Sequence, residues 1–125
     1  MSTPQNVVSW FEIPVIDFAR AKSFYEAVLG LRIEPMAMGA TTMGFLSADQ
    51  NGVGGALVHG DGNAPTRQGT IVYLNGGDDL APMLARAQQA GGSIALPKTD
   101  IGNDMGCFAH FFDTEGNKVG IYSLR

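Results

Sequence analysis

The chain is poor in the side chains most used for redox and metal chemistry. It has one cysteine and two histidines in 125 residues. A lone Cys107 cannot close an internal disulfide, so a reducing cytoplasmic compartment is the expectation. Basic residues are also few: eight Lys and Arg stand against twelve Asp and Glu, with a net charge of −4. They are scattered, whereas phosphate binding needs them clustered, which argues against nucleic acid as a partner. No apolar run is long enough to span a bilayer, and residues 1–30 hold no signal-peptide core, so no membrane partner is expected. What is present is the composition of a folded globular chain: 45% hydrophobic and 16% charged residues. The length suits one domain with a real core. The 17 glycines point to many turns and a strand-rich fold, since glycine is costly inside helices.

Val7 to Val15 reads as a first strand, with Trp10 and Glu12 on one face and Phe11 and Ile13 on the other. Asp17 is a good helix N-cap, and Ala21, Phe24, Tyr25, Val28 and Leu29 follow at helical spacing until Gly30 supplies a left-handed stop. Short strands are expected at Leu31 to Pro35 and Thr42 to Ser47, separated by a flexible Met36–Ala40 loop. A turn at Asp49 to Gly52 and a strand at Val53 to His59 complete the half. Met1 to Asn6 reads as a loose start. After a Gly60–Gly69 linker the order returns. Thr70 to Asn75 is a strand, and Asp78 or Asp79 caps a helix that carries Leu80, Met83, Leu84 and Ala87 and ends at Gly91-Gly92. Strands then run over Ser93 to Leu96, Cys107 to Phe112 and Val119 to Leu124, the last two joined by an Asp113–Asn117 turn. Asp17 and Gly30 are 13 positions apart, and so are Asp78 and Gly91. A matching cap and stop in a matching order is the mark of an internal repeat.

Glu12-Ile13-Pro14-Val15, then Asp17-x-x-Arg20-Ala21-x-x-Phe24-Tyr25 and Val28-Leu29-Gly30-Leu31, resemble the opening of the vicinal-oxygen-chelate superfamily. This is the glyoxalase, bleomycin-resistance and extradiol-dioxygenase group. Ala87-x-x-Ala90-Gly91-Gly92 and Asp113-x-Glu115-Gly116-Asn117 resemble its second half. The wording is nearest to the glyoxalase-like branch related to lactoylglutathione lyase. The resemblance implies an α+β fold of two βαβββ modules, the glyoxalase/bleomycin resistance/dihydroxybiphenyl dioxygenase fold, whose sheets form an open cup-like barrel. It implies one domain over 1–125, with modules over 7–60 and 69–125. Metal-using members place His, Gln or Glu at four inward positions, leaving coordination sites on a divalent cation for two substrate oxygens. Carried onto this chain, the first position is Trp10, the third lies near Ile71 and the fourth is Gly120. The second falls in the strand that ends at His59. Trp, Ile and Gly offer no ligating side chain, so the expectation is no metal and no other cofactor.

The same alignment with strand alternation turns Trp10, Glu12, Tyr73, Gly120 and Tyr122 into the cup. Phe108 and His110 share a face of their own strand, with Phe111 on the core side. The expected ligand pocket is therefore Trp10, Glu12, His59, Tyr73, Phe108, His110 and Tyr122, an aromatic lining suited to flat or apolar small molecules. Trp10 and Tyr73 could equally fill a cup too small for any ligand. Glu12, if desolvated, and His110 are the candidate acid–base residues; a structural role at the rim or beside an arginine is the competing account of Glu12. Cys107 has His110 three residues away, on the opposite face of a strand, and reads as a buried inert thiol. The Pro97–Gly106 segment reads either as a mobile lid or as an ordinary surface loop. Three functions follow: a metal-free small-molecule binder, a metal-dependent lyase or dioxygenase with a rearranged site, and a metal-free acid–base enzyme using Glu12 or His110. A homodimer is expected under each, with the Met-rich 36–43 segment as adaptable contact surface.

Overall fold

The computed structural model describes residues 6–46, 51–60 and 62–125. The first five residues of the expected loose start, Ser47 at the end of the expected Thr42–Ser47 strand, Asp49 and Gln50 of the Asp49–Gly52 turn and Asp61 of the linker lie outside them.

The first half runs β1 (Trp10–Pro14), α1 (Phe18–Leu29), β2 (Pro35–Met38), β3 (Thr41–Phe45) and β4 (Gly54–His59). The second runs β5 (Tyr73–Asn75), α2 (Ala81–Gln89), β6 (Ser93–Asp100), β7 (Cys107–Phe112) and β8 (Lys118–Ser123). This is the α+β arrangement of two βαβββ units. Each builds a four-stranded sheet, β1-β4-β3-β2 and β5-β8-β7-β6, in which the first strand lies parallel to the last. The sheets curve without closing into a barrel. No helix among the described residues is long and apolar enough to cross a membrane.

Local chemistry explains most of the elements. Asp17 accepts from the Arg20 amide at 3.1 Å to start α1, and Gly30, at φ 68°, ends it. Phe24, Tyr25 and Val28 on its apolar stripe are fully buried. Neither Asp78 nor Asp79 is the cap residue of α2: Leu80 is. Asp79 still accepts from the Ala81 amide at 3.0 Å, while Pro82 occupies the first turn.

Two strands differ from expectation. The segment read as a flexible loop is β2 itself, because Met36 and Met38 pair with Met43 and Thr41 across a tight hairpin. The strand expected at Leu31 to Pro35 begins only at Pro35: Ile33 instead plugs the core, its amide held by the Glu26 carboxylate at 2.9 Å. And β6 continues to Asp100 through two register shifts, so the first four residues of the expected lid, Pro97 to Asp100, are strand. The rest, Ile101 to Gly106, is a bonded turn: Ile101 N donates to Gly106 O and Met105 N to Gly102 O.

The halves share one apolar core, from Ile13, Phe24, Tyr25 and Leu57 through Leu74 and Leu84 to Phe111 and Ile121. Its polar seam is the β7–β8 turn. Asp113, Glu115 and Asn117 are all buried there. Tyr25 donates to Asp113 at 2.6 Å, and the Asn117 amide donates to Pro14 O at 2.7 Å. The Ile16 and Asp17 amides donate to Glu115 at 2.8 and 2.7 Å. The turn therefore clasps the β1–α1 junction of the other half.

Candidate functional site

Alternation along β7 and β8 puts Phe108, His110 and Phe112 on the face away from the helices, beside Lys118, Gly120 and Tyr122. Tyr73 of β5 stands in register with Gly120, which stands in register with His110. Gly120 is what joins them. A Cβ there would collide with the Tyr73 ring, so the ring lies over the glycine. Its hydroxyl thereby comes 2.7 Å from His110 Nε2. Ring centroids separate Tyr73 from His110 by 5.5 Å, Phe108 from His110 by 5.6 Å and Tyr73 from Phe108 by 6.5 Å, a tilted aromatic cluster.

Beside it is an open hollow of about 430 Å³ lined by Tyr73, Ile101, Phe108 and Tyr122. Its wall is anchored. Tyr122 donates its hydroxyl to Met105 O at 2.7 Å, and Gly106 packs against the Tyr122 ring with no room for a side chain. Tyr73 and Tyr122 keep 46% and 37% of their surface exposed, enough to receive a ligand. Partial burial, with the nearby Lys118 charge, holds the His110 imidazole below its ordinary pKa. This favours the neutral ring, whose tautomer decides whether Tyr73 or His110 donates in their contact.

The other expected residues lie elsewhere. Trp10 and Glu12 share the corresponding face of the first sheet, where the Trp10 indole donates to Glu12 at 3.2 Å and meets Phe45 edge-on at 5.9 Å. Glu12 is exposed, not the desolvated carboxylate that general-base chemistry would ask for. It reaches a small hollow that it shares with Lys118 and Val72. His59 is exposed at the end of β4, in register with Thr42 and alternating onto the side of Leu57, away from Trp10. It does not join the pocket. Cys107 is half-buried rather than buried, on the side opposite His110, beside Asp100, Asp104 and Arg125.

Trp10 and Gly120 bring no donor to the family's metal positions, and Tyr73 occupies the space over Gly120. Among the described residues no three His, Cys, Asp or Glu side chains gather as a metal would require. The donor set does not fit a divalent metal in the family's arrangement.

Two contributors escaped the sequence reading. Lys118 shares the parity of Gly120 and Tyr122 and could have been found by it. Ile101 sits at the start of a turn with successive positive φ values at Asn103 and Asp104, which leaves no periodic trace.

A family model described as the glyoxalase/bleomycin resistance protein/dioxygenase superfamily matches residues 7–121. Among solved structures, a hypothetical protein, SA1046, from S. aureus superposes with a TM-score of 0.68 at 16% identity, covering 98% of this chain and 95% of that one. Glyoxalase I from Zea mays gives 0.73 at 14% identity over 93% of this chain and 44% of its own, so the present chain spans under half its length. A mutant of the fosfomycin resistance protein FosX from Listeria monocytogenes, complexed with Mn(II) and 1S,2S-dihydroxypropylphosphonic acid, gives 0.64 at 11% identity, with 97% and 91% covered. At such identities the likeness is one of fold. Comparison with curated protein sequences returns no match.

Proposed function

The chain belongs to the glyoxalase/bleomycin resistance protein/dioxygenase superfamily, and from that premise we propose that it binds a partly aromatic or apolar small molecule on the open face of its second sheet. One observation carries this reading: the hollow lined by Tyr73, Ile101, Phe108 and Tyr122, with the Tyr73–His110 pair as its polar handle. In this reading the protein works without a resident metal, which is supported by the side chains at Trp10 and Gly120. Two chains pair as a homodimer, supported by edge strand β2, whose Met36 and Met38 remain 48% and 53% exposed.

A second reading, a metal-free acid–base enzyme, is favoured by the Tyr73–His110 contact alone. A substrate proton would pass to the neutral imidazole, leaving an imidazolium beside the Tyr73 oxygen. Glu12 has no place in that pair. A rearranged metal enzyme built on His59 and His110 has no supporting donor arrangement, since the two belong to different sheets and His59 faces the helix side.

Native mass spectrometry of protein purified without added metal or chelator tests the proposal. The expected species is a dimer carrying an organic adduct that is lost in Tyr73→Ala and Phe108→Ala. Near-stoichiometric Zn, Ni, Mn or Fe would overturn the metal-free reading. Turnover that survives a chelator and vanishes in His110→Ala would put the acid–base enzyme first.

A further inference from the structure

The cations of this acidic chain are almost all spoken for. Arg20, Lys22, Arg32, Lys98 and Arg125 are in ion pairs with carboxylates. Arg86 donates to Val28 O at 3.1 Å. Among the described residues, Arg67, Arg86 and Lys118 have no carboxylate in an ion pair; Arg86 is held by the Val28 carbonyl, and Arg67 and Lys118 share one end of the open face of the second sheet. The Lys118 amide donates to Thr66 O at 3.3 Å and Thr66 N donates to Asn117 Oδ1 at 3.1 Å, which lays the Thr66–Arg67 segment along the start of β8. Lys118 stands in register with Phe112, and the Arg67 guanidinium lies 4.0 Å above the centroid of that same ring. Phe112 continues the row begun by Phe108 and His110. The aromatic face therefore grades from an apolar hollow at the Tyr122 end, through the Tyr73–His110 pair, to two unneutralised cations at the Phe112 end. Glu12 lines a small hollow with Lys118, but it takes the Trp10 indole and forms no ion pair with the ammonium.

We propose that the ligand is a planar aromatic molecule with one anionic group, its ring on Tyr73, Phe108 and Tyr122 and its anion directed to Lys118 and Arg67. The inference rests on the binding reading above and names the class of molecule that reading leaves open. A positively charged ring compound is disfavoured by the same two residues. A dianion is disfavoured by Glu12 and by the net charge of −4. The Arg67 guanidinium, planar and stacked, suits a flat carboxylate better than a lysine would. A hydroxyl on the ring would meet the Tyr73–His110 pair.

Three probes of one ring size separate the possibilities: 1-naphthoate, 1-naphthalenemethanol and 1-naphthylmethylammonium, titrated by isothermal calorimetry at low and high salt. Naphthoate is expected to bind about five- to tenfold tighter than the alcohol, and the ammonium weakest. The naphthoate advantage should shrink as salt rises, and the naphthoate-to-alcohol affinity ratio should fall toward one in Lys118→Gln and Arg67→Gln. The salt series on the unaltered protein gives the same answer should either variant misfold. Equal affinity for all three, or a preference for the ammonium, overturns the anionic class and leaves the binding reading standing. No binding by any probe overturns both.

Discussion

The Glu115 carboxylate accepts from the amides of Ile16 and Asp17, from Arg20 Nε at 2.7 Å and from the Thr114 hydroxyl at 3.0 Å. Burial alone would raise its pKa; Arg20, the two amides and Thr114 outweigh burial and bring it from 4.5 down to about 2. A depressed carboxyl pKa stabilises the fold fully above the unfolded value and loses that contribution as pH falls through the folded one. Glu115 should thus contribute on the order of 3 kcal/mol at neutral pH, disappearing between about pH 4.5 and pH 2. Glu115→Gln should cost about 2–4 kcal/mol at pH 7 and flatten the stability profile across that acid window, read by urea unfolding at a series of pH values. Tyr25 works in the same seam. Burial first, then the Asp113 charge, pushes its phenol well above its usual pKa, which favours the protonated form that donates to Asp113. The turn itself was legible in Asp113–Asn117, since turn chemistry is local. That its acids reach residues 98 and 99 positions earlier was not, because long-range partners leave no spacing to read.

Between neighbouring strands, the two sheets use one device on opposite faces. In the first, the Phe11 ring covers Gly55 on the helix side; in the second, the Tyr73 ring covers Gly120 on the open side. The first arrangement feeds an aromatic into the core, and the second aims a phenol at His110. Gly120→Ala should therefore cost about 1–3 kcal/mol by overpacking and break the Tyr73–His110 contact, shifting the His110 titration followed by NMR. Adding Tyr73→Ala should recover most of the lost stability, a coupling on the order of 1 kcal/mol or more in a double-mutant cycle. A normal melting curve for Gly120→Ala would show that the ring is free to leave. Helix α1 was legible from the sequence because cap, apolar stripe and glycine stop coincide in it; in α2 the stripe was legible and the cap was not. Strand β2 was not, since Pro-Met-Ala-Met has no alternation of polarity: both of its faces stay exposed. The bulges that lengthen β6 also follow from pairing with β7 rather than from its own residues.

On the scale of the molecule, the repeat of strand, helix and three strands was readable from the order of the elements, although the matching cap and stop hold only in α1, since α2 is capped by Leu80 and Ala90, and the aromatic face was readable from alternation within β7 and β8. Which residues of the two halves meet was not, so Trp10, Glu12 and His59 were grouped with a site on the other sheet. The exposed methionines of β2 give the proposed pairing its test. Sedimentation should return a mass of two chains, and Met36→Glu combined with Met38→Glu should return one, with unfolding little changed because both side chains are exposed in the single chain. A single-chain mass for the unaltered protein would reject pairing. The clasp between residues 113–117 and the β1–α1 junction also has a meaning in time. During synthesis the amides of Ile16 and Asp17 leave the ribosome long before Glu115 exists to receive them, a wait on the order of 5–20 s for the intervening residues at usual elongation rates. Through that interval the first sheet is a nascent chain with an open methionine edge and no latch. A cell that makes this protein must tolerate or chaperone that half-finished state, and slowing translation ahead of the final hairpin should raise the share that aggregates.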